Sequence, residues 1–174
     1  MPYQRPPSRC SSSCAVQFHW FDGTLSEKEA LDRAVDVFMD VLRQPANRLR
    51  NPYAETMAKS EFKKRIQKAS AGLLKPVDEV KGVDEEHVQP LYEIRWQDIP
   101  VTERESPEAP TVHKSILVRL YHSEPESEPD YFIGHLVHQK VVGPGVDVYA
   151  HQTAEIGVAR GIYDLGEGVR WHLP

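Results

Sequence analysis

Apolar and polar residues repeat with two different periods along the chain, and the change of period separates predicted strands from predicted helices. Residues 15–21 alternate, with Val16, Phe18 and Trp20 on one side, which predicts a strand. Apolar residues then recur at helical spacing in two runs, which end near Gln44-Pro45 and Gly72. The first half of the chain is therefore predicted to form one strand followed by a helical hairpin.

Both predicted helices have recognisable start signals. Ser26 and Glu29 have the spacing of a capping box, and Leu25 is placed to act as a hydrophobic staple. Asn51 is a favourable N-cap residue, and Pro52 suits the first turn of a helix. We therefore expect the first helix to begin after Ser26 and the second to begin after Asn51.

Three further segments with strand-like patterns follow the hairpin, at residues 91–96, 113–122 and 131–142. Two acidic loops that contain proline connect them, at residues 97–112 and 123–130. Such connections fit antiparallel pairing, and their charges discourage edge-to-edge aggregation. The second half of the chain is therefore predicted to contain an antiparallel meander.

The order of these elements is typical of an α+β fold. We expect the N-terminal strand and the helical hairpin to pack on a small, mainly antiparallel sheet, with a short C-terminal helix around residues 153–163. Residues 15–174 would form this single domain, with the acidic loops as insertions. Residues 1–14, which are rich in Pro and Ser, are predicted to be a disordered tail.

Charge is distributed unevenly along the chain. The sequence has 21 basic and 26 acidic residues and a formal net charge of −5. The segment from Leu42 to Gly82 carries ten of the basic residues and only four acids, a net +6, so the remainder carries −11. A local basic surface could attract a polyanion despite the negative total, although a solvated helix face has the same pattern.

The cysteines do not indicate a disulfide framework or a metal site. Cys10 and Cys14 are the only two, and together with His19 they lack a fourth ligand at a zinc-finger spacing, so we expect no metal and no cofactor. The sequence contains no apolar run long enough for a membrane span and no signal segment at its start. These features predict a cytoplasmic protein that does not bind membranes.

Basic and aromatic side chains interrupt the apolar pattern on one face of the predicted strands. Arg119 points away from the core-facing residues of its strand, and Tyr121 lies two residues further on the same side. The guanidinium groups of Arg95 and Arg119 beside an aromatic ring would form a surface for RNA phosphates and bases. Each arginine could instead pair with an acid, such as Glu93 for Arg95, and Tyr121 could be an ordinary strand residue.

Four short motifs, in this order and spacing, resemble those of the RelE/ParE superfamily of toxins from toxin–antitoxin modules, and most of all the HigB-like, phage-derived toxins. The motifs are LYEIRW (91–96), KSILVRLYH (114–122), DYFIGHLVHQK (130–140) and QTAEIGVARGIY (152–163). In element order the resemblance covers about residues 15–165. It implies a RelE-like α+β domain.

The resemblance also implies a metal-independent endoribonuclease that cleaves messenger RNA on the ribosome and inhibits translation. Its partners would be a cognate antitoxin protein, mRNA and the ribosome. In such chemistry the ribose 2′-hydroxyl attacks the adjacent phosphate, which requires cations and a proton-transfer group. The residues expected to be catalytic are Arg95, Arg119, Lys140, Tyr121 and His138, and those expected to bind RNA are Lys59, Lys63, Lys64 and His122.

Two other functions stay open on the same residues. The first is a catalytically inactive, toxin-like protein-interaction module encoded by a phage or mobile element, which would bind its partner through Glu124, Glu126 and Glu128. The acidic loops and the incomplete basic motif after Lys140 motivate this alternative. The second is a domain that binds nucleic acid without sequence preference through the basic helices.

Overall fold

The computed structural model describes residues 5–83 and 89–174 and has the predicted α+β fold. It contains three helices and six strands, with a short 3₁₀ turn near each end of the chain. The elements are the turn Arg9–Ser11, β1 (Gln17–Trp20), α1 (Ala30–Arg43), β2 (Arg48–Leu49), α2 (Pro52–Ser70), β3 (Val80–Gly82), β4 (Leu91–Glu103), β5 (Val112–Ser123), β6 (Tyr131–Lys140), α3 (Val148–Glu167) and the turn Arg170–His172.

The six strands form one mixed sheet in which most pairs are antiparallel. Its order is β1-β6-β5-β4-β2, and β3 pairs with β4 beside β2. Only β1 runs parallel to its neighbour, with Gln17 opposite Tyr131 of β6. The sheet therefore places β4, β5 and β6, the three strands predicted to present functional residues, next to one another.

Helices cover both faces of the sheet. On one face the rings of Phe38 from α1, Phe62 from α2 and Trp96 from β4 stack in series, with centroid separations of 4.4 and 4.8 Å. On the other face, Ile156 and Tyr163 of α3 belong to a second, smaller core cluster beside the sheet. The helical hairpin thus leaves one sheet face to α3, and the residues predicted to be catalytic lie on that face.

The start signal of α2 is confirmed, whereas that of α1 is wrong. The side chain of Asn51 accepts a hydrogen bond from the Ala54 amide at 3.2 Å, and Pro52 is the first residue of α2. Helix α1 begins only at Ala30, and its N-cap Glu29 makes no capping hydrogen bond through its side chain. Leu25, the expected staple, is 87% exposed, so no apolar contact fixes a turn before Ala30.

Half of the predicted insertion at residues 97–112 is strand. β4 continues to Glu103 and β5 begins at Val112, so the connecting turn contains only residues 104–111. A bulge between Trp96 and Ile99 shifts the register and lets the hairpin continue past the polar residues that suggested a loop. Helix α3 is also longer than predicted, because it begins at Val148 and ends at Glu167. Of the helices that the structure describes, none is both long and apolar enough to cross a bilayer.

The prediction of a disordered tail over residues 1–14 is wrong for the part that the structure describes, residues 5–14. Cys10 is fully buried, and its carbonyl accepts a hydrogen bond from the Leu74 amide at 2.9 Å. The chain passes so close to Gly72 that a Cβ there would lie 2.7 Å from the Cys14 nitrogen. Long-range contacts, which composition does not reveal, hold this segment in place; residues 1–4 lie outside the described chain.

Candidate functional site

The five residues predicted to be catalytic lie on one face of three neighbouring strands. Arg95 of β4, Arg119 of β5 and His138 of β6 are in register with one another. Tyr121 lies two residues beyond Arg119, and Lys140 lies two residues beyond His138, so both share that face. We call this set of five residues the cationic face.

Arg95 is held by an acidic residue of its own strand. Its Nε donates to Glu93 Oε1 at 2.6 Å, and its Nη1 donates to the Val77 carbonyl at 3.0 Å. The sequence allowed either this pairing or a free cation, and the structure shows the pairing. Glu93, whose side chain is nearly inaccessible, therefore neutralises part of the positive charge of the cationic face.

Arg119 lies beneath the surface of the cationic face and is 3% exposed. Its Nη1 donates to the carbonyls of Val118 and Trp96 at 2.9 and 3.3 Å, and its Nε is 3.9 Å from Glu93 Oε1. Burial lowers the pKa of its guanidinium, while the charge of Glu93 acts to raise it. Arg119 can supply positive potential to the site, but a bound phosphate could not touch it without a rearrangement.

Tyr121 and His138 form a hydrogen-bonded, stacked pair across β5 and β6. Nδ1 of His138 is 3.2 Å from the Gln139 carbonyl, which can only accept, so Nδ1 carries the hydrogen. The Tyr121 hydroxyl therefore donates to His138 Nε2, also at 3.2 Å. Burial lowers the pKa of His138 to about 4, so its imidazole is neutral at pH 7 but is a weaker base than that of an ordinary histidine. Burial also raises the pKa of Tyr121, which keeps its phenol protonated.

Lys140, the last residue of β6, is half-buried and so is more accessible than the buried Arg119. Partial burial and the nearby Arg119 lower the pKa of its ammonium group, while Glu93 acts to raise it. A lowered pKa makes the ammonium a better proton donor than an ordinary lysine. The cationic face therefore contains a neutral base and a cation able to give up a proton.

Helix α3 covers part of the cationic face. Gln152 Nε2 donates to Glu93 Oε2 at 3.4 Å, and the fully buried Tyr121 shares a core cluster with Ile156. A cleft of about 440 Å³ opens along the end of β6, between the end of α1 and α3, and its lining includes Val41, His138 and Glu155. His138 is thus reachable from solvent, whereas the Tyr121 hydroxyl is not.

The three lysines predicted to bind RNA lie on α2, across the sheet from the cationic face. Lys63 Nζ is 3.5 Å from Asp32, and Lys64 Nζ is 3.3 Å from Glu61, while Lys59 is exposed. Other basic residues of the hairpin are also paired with acids, as in Arg43–Glu55, Arg65–Glu79 and Lys68–Glu79. The net +6 of this segment is therefore spread over a surface of mixed charge.

The structure does not bring His122, the fourth residue predicted to bind RNA, to any surface. It is fully buried, and its ring stacks on Tyr92 with centroids 5.6 Å apart. Its Nε2 lies 2.9 Å from Glu124 Oε1 and 3.8 Å from Cys10 Sγ. An RNA contact by His122 is incompatible with this position. The cluster is not evident in the sequence, because Cys10 and His122 are 112 positions apart. The one local signal is the two-residue spacing of His122 and Glu124, which places both on one side of an extended chain.

The acidic loop is also less available than predicted. Glu124 is buried and accepts hydrogen bonds from Ser8 Oγ and the Arg9 amide at 2.5 and 2.7 Å. Glu128 accepts a hydrogen bond from Arg170 Nε at 2.8 Å. The prediction that Glu124, Glu126 and Glu128 together bind a partner is therefore wrong, because only Glu126 of the three is exposed.

Comparison with known proteins gives no relative for this chain. No family model matches it, and no curated protein or solved structure is significantly similar to it.

Proposed function

We propose that the chain is a metal-independent endoribonuclease that cleaves mRNA and inhibits translation, as the toxin of a type II toxin–antitoxin system does. The main support for the proposal is the register of the strands, in which Arg119 lies between Arg95 and His138. This register places a neutral imidazole beside two guanidinium groups. Transesterification of RNA needs these two components, a base for the 2′-hydroxyl and positive charge for the phosphorane. Under this proposal the partners are an antitoxin protein, mRNA and the ribosome, and the site of action is the cytoplasm.

The Tyr121–His138 pair would remove the proton from the nucleophile. The ribose 2′-hydroxyl gives its hydrogen to Tyr121 Oη while the phenol hydrogen moves to His138 Nε2, along the existing 3.2 Å hydrogen bond. Because Tyr121 is buried, the first turns of α3 must move aside for the ribose to reach it. Gly143 and Gly145, with φ of +144° and +76°, lie in the segment between β6 and α3 where such a movement would hinge.

The remaining steps would use Lys140 and the arginines. The 2′-oxygen bonds to phosphorus, the bond from phosphorus to the 5′-oxygen breaks, and Lys140 protonates the departing oxygen. The products are a 2′,3′-cyclic phosphate and a 5′-hydroxyl. His138 ends protonated and Lys140 neutral, and proton exchange with water restores both. Arg95 and the buried Arg119 stabilise the negative charge of the phosphorane through their positive potential.

Inducible expression in a bacterial host tests this proposal. We expect the wild-type chain to arrest growth and to cleave translated mRNA, and His138→Gln to reduce cleavage by at least about 100-fold, the low end of what a general base contributes. His151→Gln, the same substitution at an exposed histidine outside the cationic face, is the matched control and should behave as wild type. Intact mRNA with the wild-type chain at equal expression, or full activity of His138→Gln, would contradict the proposal.

A second candidate function, a toxin-like protein-interaction module without catalysis, is favoured by a different observation. Arg119 and Tyr121 are buried, and Glu93 neutralises Arg95, so the cationic face at rest lacks a free guanidinium group. This candidate predicts a tight protein partner whose binding is unaffected by His138→Gln. The third possibility, nucleic-acid binding through α2, has less support because most of the basic residues of the hairpin are in ion pairs.

A further inference from the structure

Three residues that ligate metals in other proteins meet inside the molecule, away from the cationic face. Sγ of Cys10, a ring nitrogen of His122 and a carboxylate oxygen of Glu124 lie within 4.8 Å of one another, and all three residues are buried. Cys10 belongs to the N-terminal segment, whereas the other two residues are at and just after the end of β5. Thiolate, imidazole and carboxylate are the three ligand types that zinc takes in proteins.

The distances within this cluster are close to those of a tetrahedral zinc site. Zinc–sulfur and zinc–nitrogen bonds of about 2.3 and 2.05 Å place the two ligand atoms about 3.6 Å apart. Sγ of Cys10 and Nε2 of His122 are 3.8 Å apart. His122 Nε2 and Glu124 Oε1, at 2.9 Å, would have to separate by about 0.5 Å as zinc replaced their shared hydrogen.

Surrounding groups fix the orientation of each ligand, as outer-shell partners do in metal sites. Ser8 Oγ donates to Glu124 Oε1 at 2.5 Å, and the Arg9 amide donates to Oε2 at 2.7 Å. Phe132 lies edge-on to the His122 ring, with centroids 5.5 Å apart. Nε2 of His122 faces both Glu124 and Cys10, so it is the nitrogen that would bind the metal. Among the described residues Nδ1 has no hydrogen-bond partner, and with zinc on Nε2 it would carry the ring hydrogen without an acceptor.

A purely apolar or hydrogen-bonded role explains the cluster less well. Cys10 Sγ makes only a long contact with His122 Nε2, at 3.8 Å. The buried Glu124 carboxylate lies 2.9 Å from the same nitrogen and accepts hydrogen bonds from Ser8 and Arg9. A buried anion beside an imidazole and a thiol is a favourable environment for a divalent cation.

We propose that Cys10, His122 and Glu124 form a structural zinc site that fastens the N-terminal segment to the end of β5. The protein supplies three buried ligands, so a water molecule would complete the tetrahedron that zinc requires, and the burial of all three ligands fits a metal that stabilises the fold. Because one ligand comes from the N-terminal segment, the site is complete only when that segment is docked. Zinc binding and the ordering of residues 5–14 are therefore coupled.

Cobalt spectroscopy tests this proposal in the Cys14→Ser chain, in which Cys10 is the only thiol. The untagged protein is freed of metal with a chelator and titrated with Co²⁺. We expect one Co²⁺ per chain, with a thiolate-to-cobalt charge-transfer band and the visible bands of tetrahedral coordination, both displaced by one equivalent of Zn²⁺. Absence of the charge-transfer band would overturn the proposal whatever further variants do.

Two variants then assign the ligands. Adding Cys10→Ser should abolish the charge-transfer band and weaken Zn²⁺ binding by more than about 100-fold, beyond the roughly 10–100-fold effect of losing an outer-shell partner. Ser8→Ala, which removes such a partner, should weaken binding within that smaller range. Survival of the charge-transfer band or of tight Zn²⁺ binding in the chain without Cys10 would also overturn the proposal, and circular dichroism verifies that each variant is folded.

Discussion

Tyr121 donates a hydrogen bond to Nε2 of His138 from the neighbouring strand, at 3.2 Å, while the two rings stack with centroids 5.2 Å apart and planes 15° apart. The pair arises because the two residues are diagonal neighbours on antiparallel strands, with Arg119 directly opposite His138. A phenol that stays protonated and an imidazole that stays neutral thus share one hydrogen at the centre of the cationic face.

Tyr121→Phe keeps the ring and removes only this hydrogen bond. If the phenol passes the nucleophile's proton to His138, the change should lower RNA cleavage at least about tenfold, while the free energy of unfolding falls by about 1 kcal/mol. Cleavage kinetics and urea denaturation of the same preparation measure both. Tyr53→Phe, at an exposed position on α2, should change neither. Unaltered cleavage by Tyr121→Phe would exclude the relay.

His135 should make stability depend on pH. Burial lowers its pKa from 6.5 to about 4, so between these values the unfolded chain binds a proton that the folded chain does not. The free energy of unfolding therefore falls as pH drops through this window, and the share of His135 between pH 7 and pH 5 is about 2 kcal/mol. Urea denaturation at both pH values should show that the free energy of unfolding of His135→Gln falls by about 2 kcal/mol less than that of the wild-type chain. The exposed His151→Gln should retain the full loss, and an equal loss in all three proteins would refute the assignment.

Two glycines of α3 should respond oppositely to substitution by alanine. A Cβ at Gly166 would overlap Cδ1 of Trp171 and lie 2.8 Å from Cε1 of Phe21, whereas a Cβ at Gly161 meets nothing within 4 Å. Gly166→Ala should destabilise the fold by about 1–3 kcal/mol through overpacking. Gly161→Ala should stabilise it by about 0.5–1 kcal/mol, because alanine loses less backbone entropy in a helix. Thermal unfolding of both variants checks the opposite signs, and equal shifts would argue against the docking of Trp171 under α3.

Glu124→Lys should damage the fold rather than a binding surface. The substitution removes a buried carboxylate from Ser8, Arg9 and His122 and introduces a charge without a partner, which should cost about 3–5 kcal/mol. Glu126→Lys, two residues further on and exposed, should stay within about 0.5 kcal/mol of wild type. Chemical denaturation of the two variants provides the comparison. Similar stabilities would mean that the N-terminal segment does not dock on Glu124.

The sequence predicted the features that depend on residues close together along the chain, such as helix caps and the alternation of a strand. Asn51 and Pro52 start α2 where their capping preferences require, and strand alternation predicted that Arg95 and Arg119 share a face of the sheet, although not their register. The N-terminal segment escaped prediction because its anchor, the contact of Ser8 with Glu124, spans 116 positions along the chain.

The β-bulges also limited what the sequence could predict. Strict alternation would place His135 and His138 on opposite faces, because their spacing is odd. A register shift instead leaves His135 without a paired residue on β5. Its ring instead packs edge-on to Tyr163 of α3, with centroids 6.2 Å apart. Burial of Arg119 was equally hidden, because the pattern of one strand does not show which helix will cover its face.

Product analysis of an RNA oligonucleotide tests the central claim most directly. The wild-type chain is incubated with an RNA that it cleaves, or with translating ribosomes, and with the same RNA carrying a single 2′-deoxy residue at the cleavage position. The proposed chemistry predicts a 2′,3′-cyclic phosphate and a 5′-hydroxyl from the first RNA, and no cleavage at that position in the second. RNA that stays intact with ribosomes present, or equal cleavage of the deoxy-substituted RNA, would contradict it.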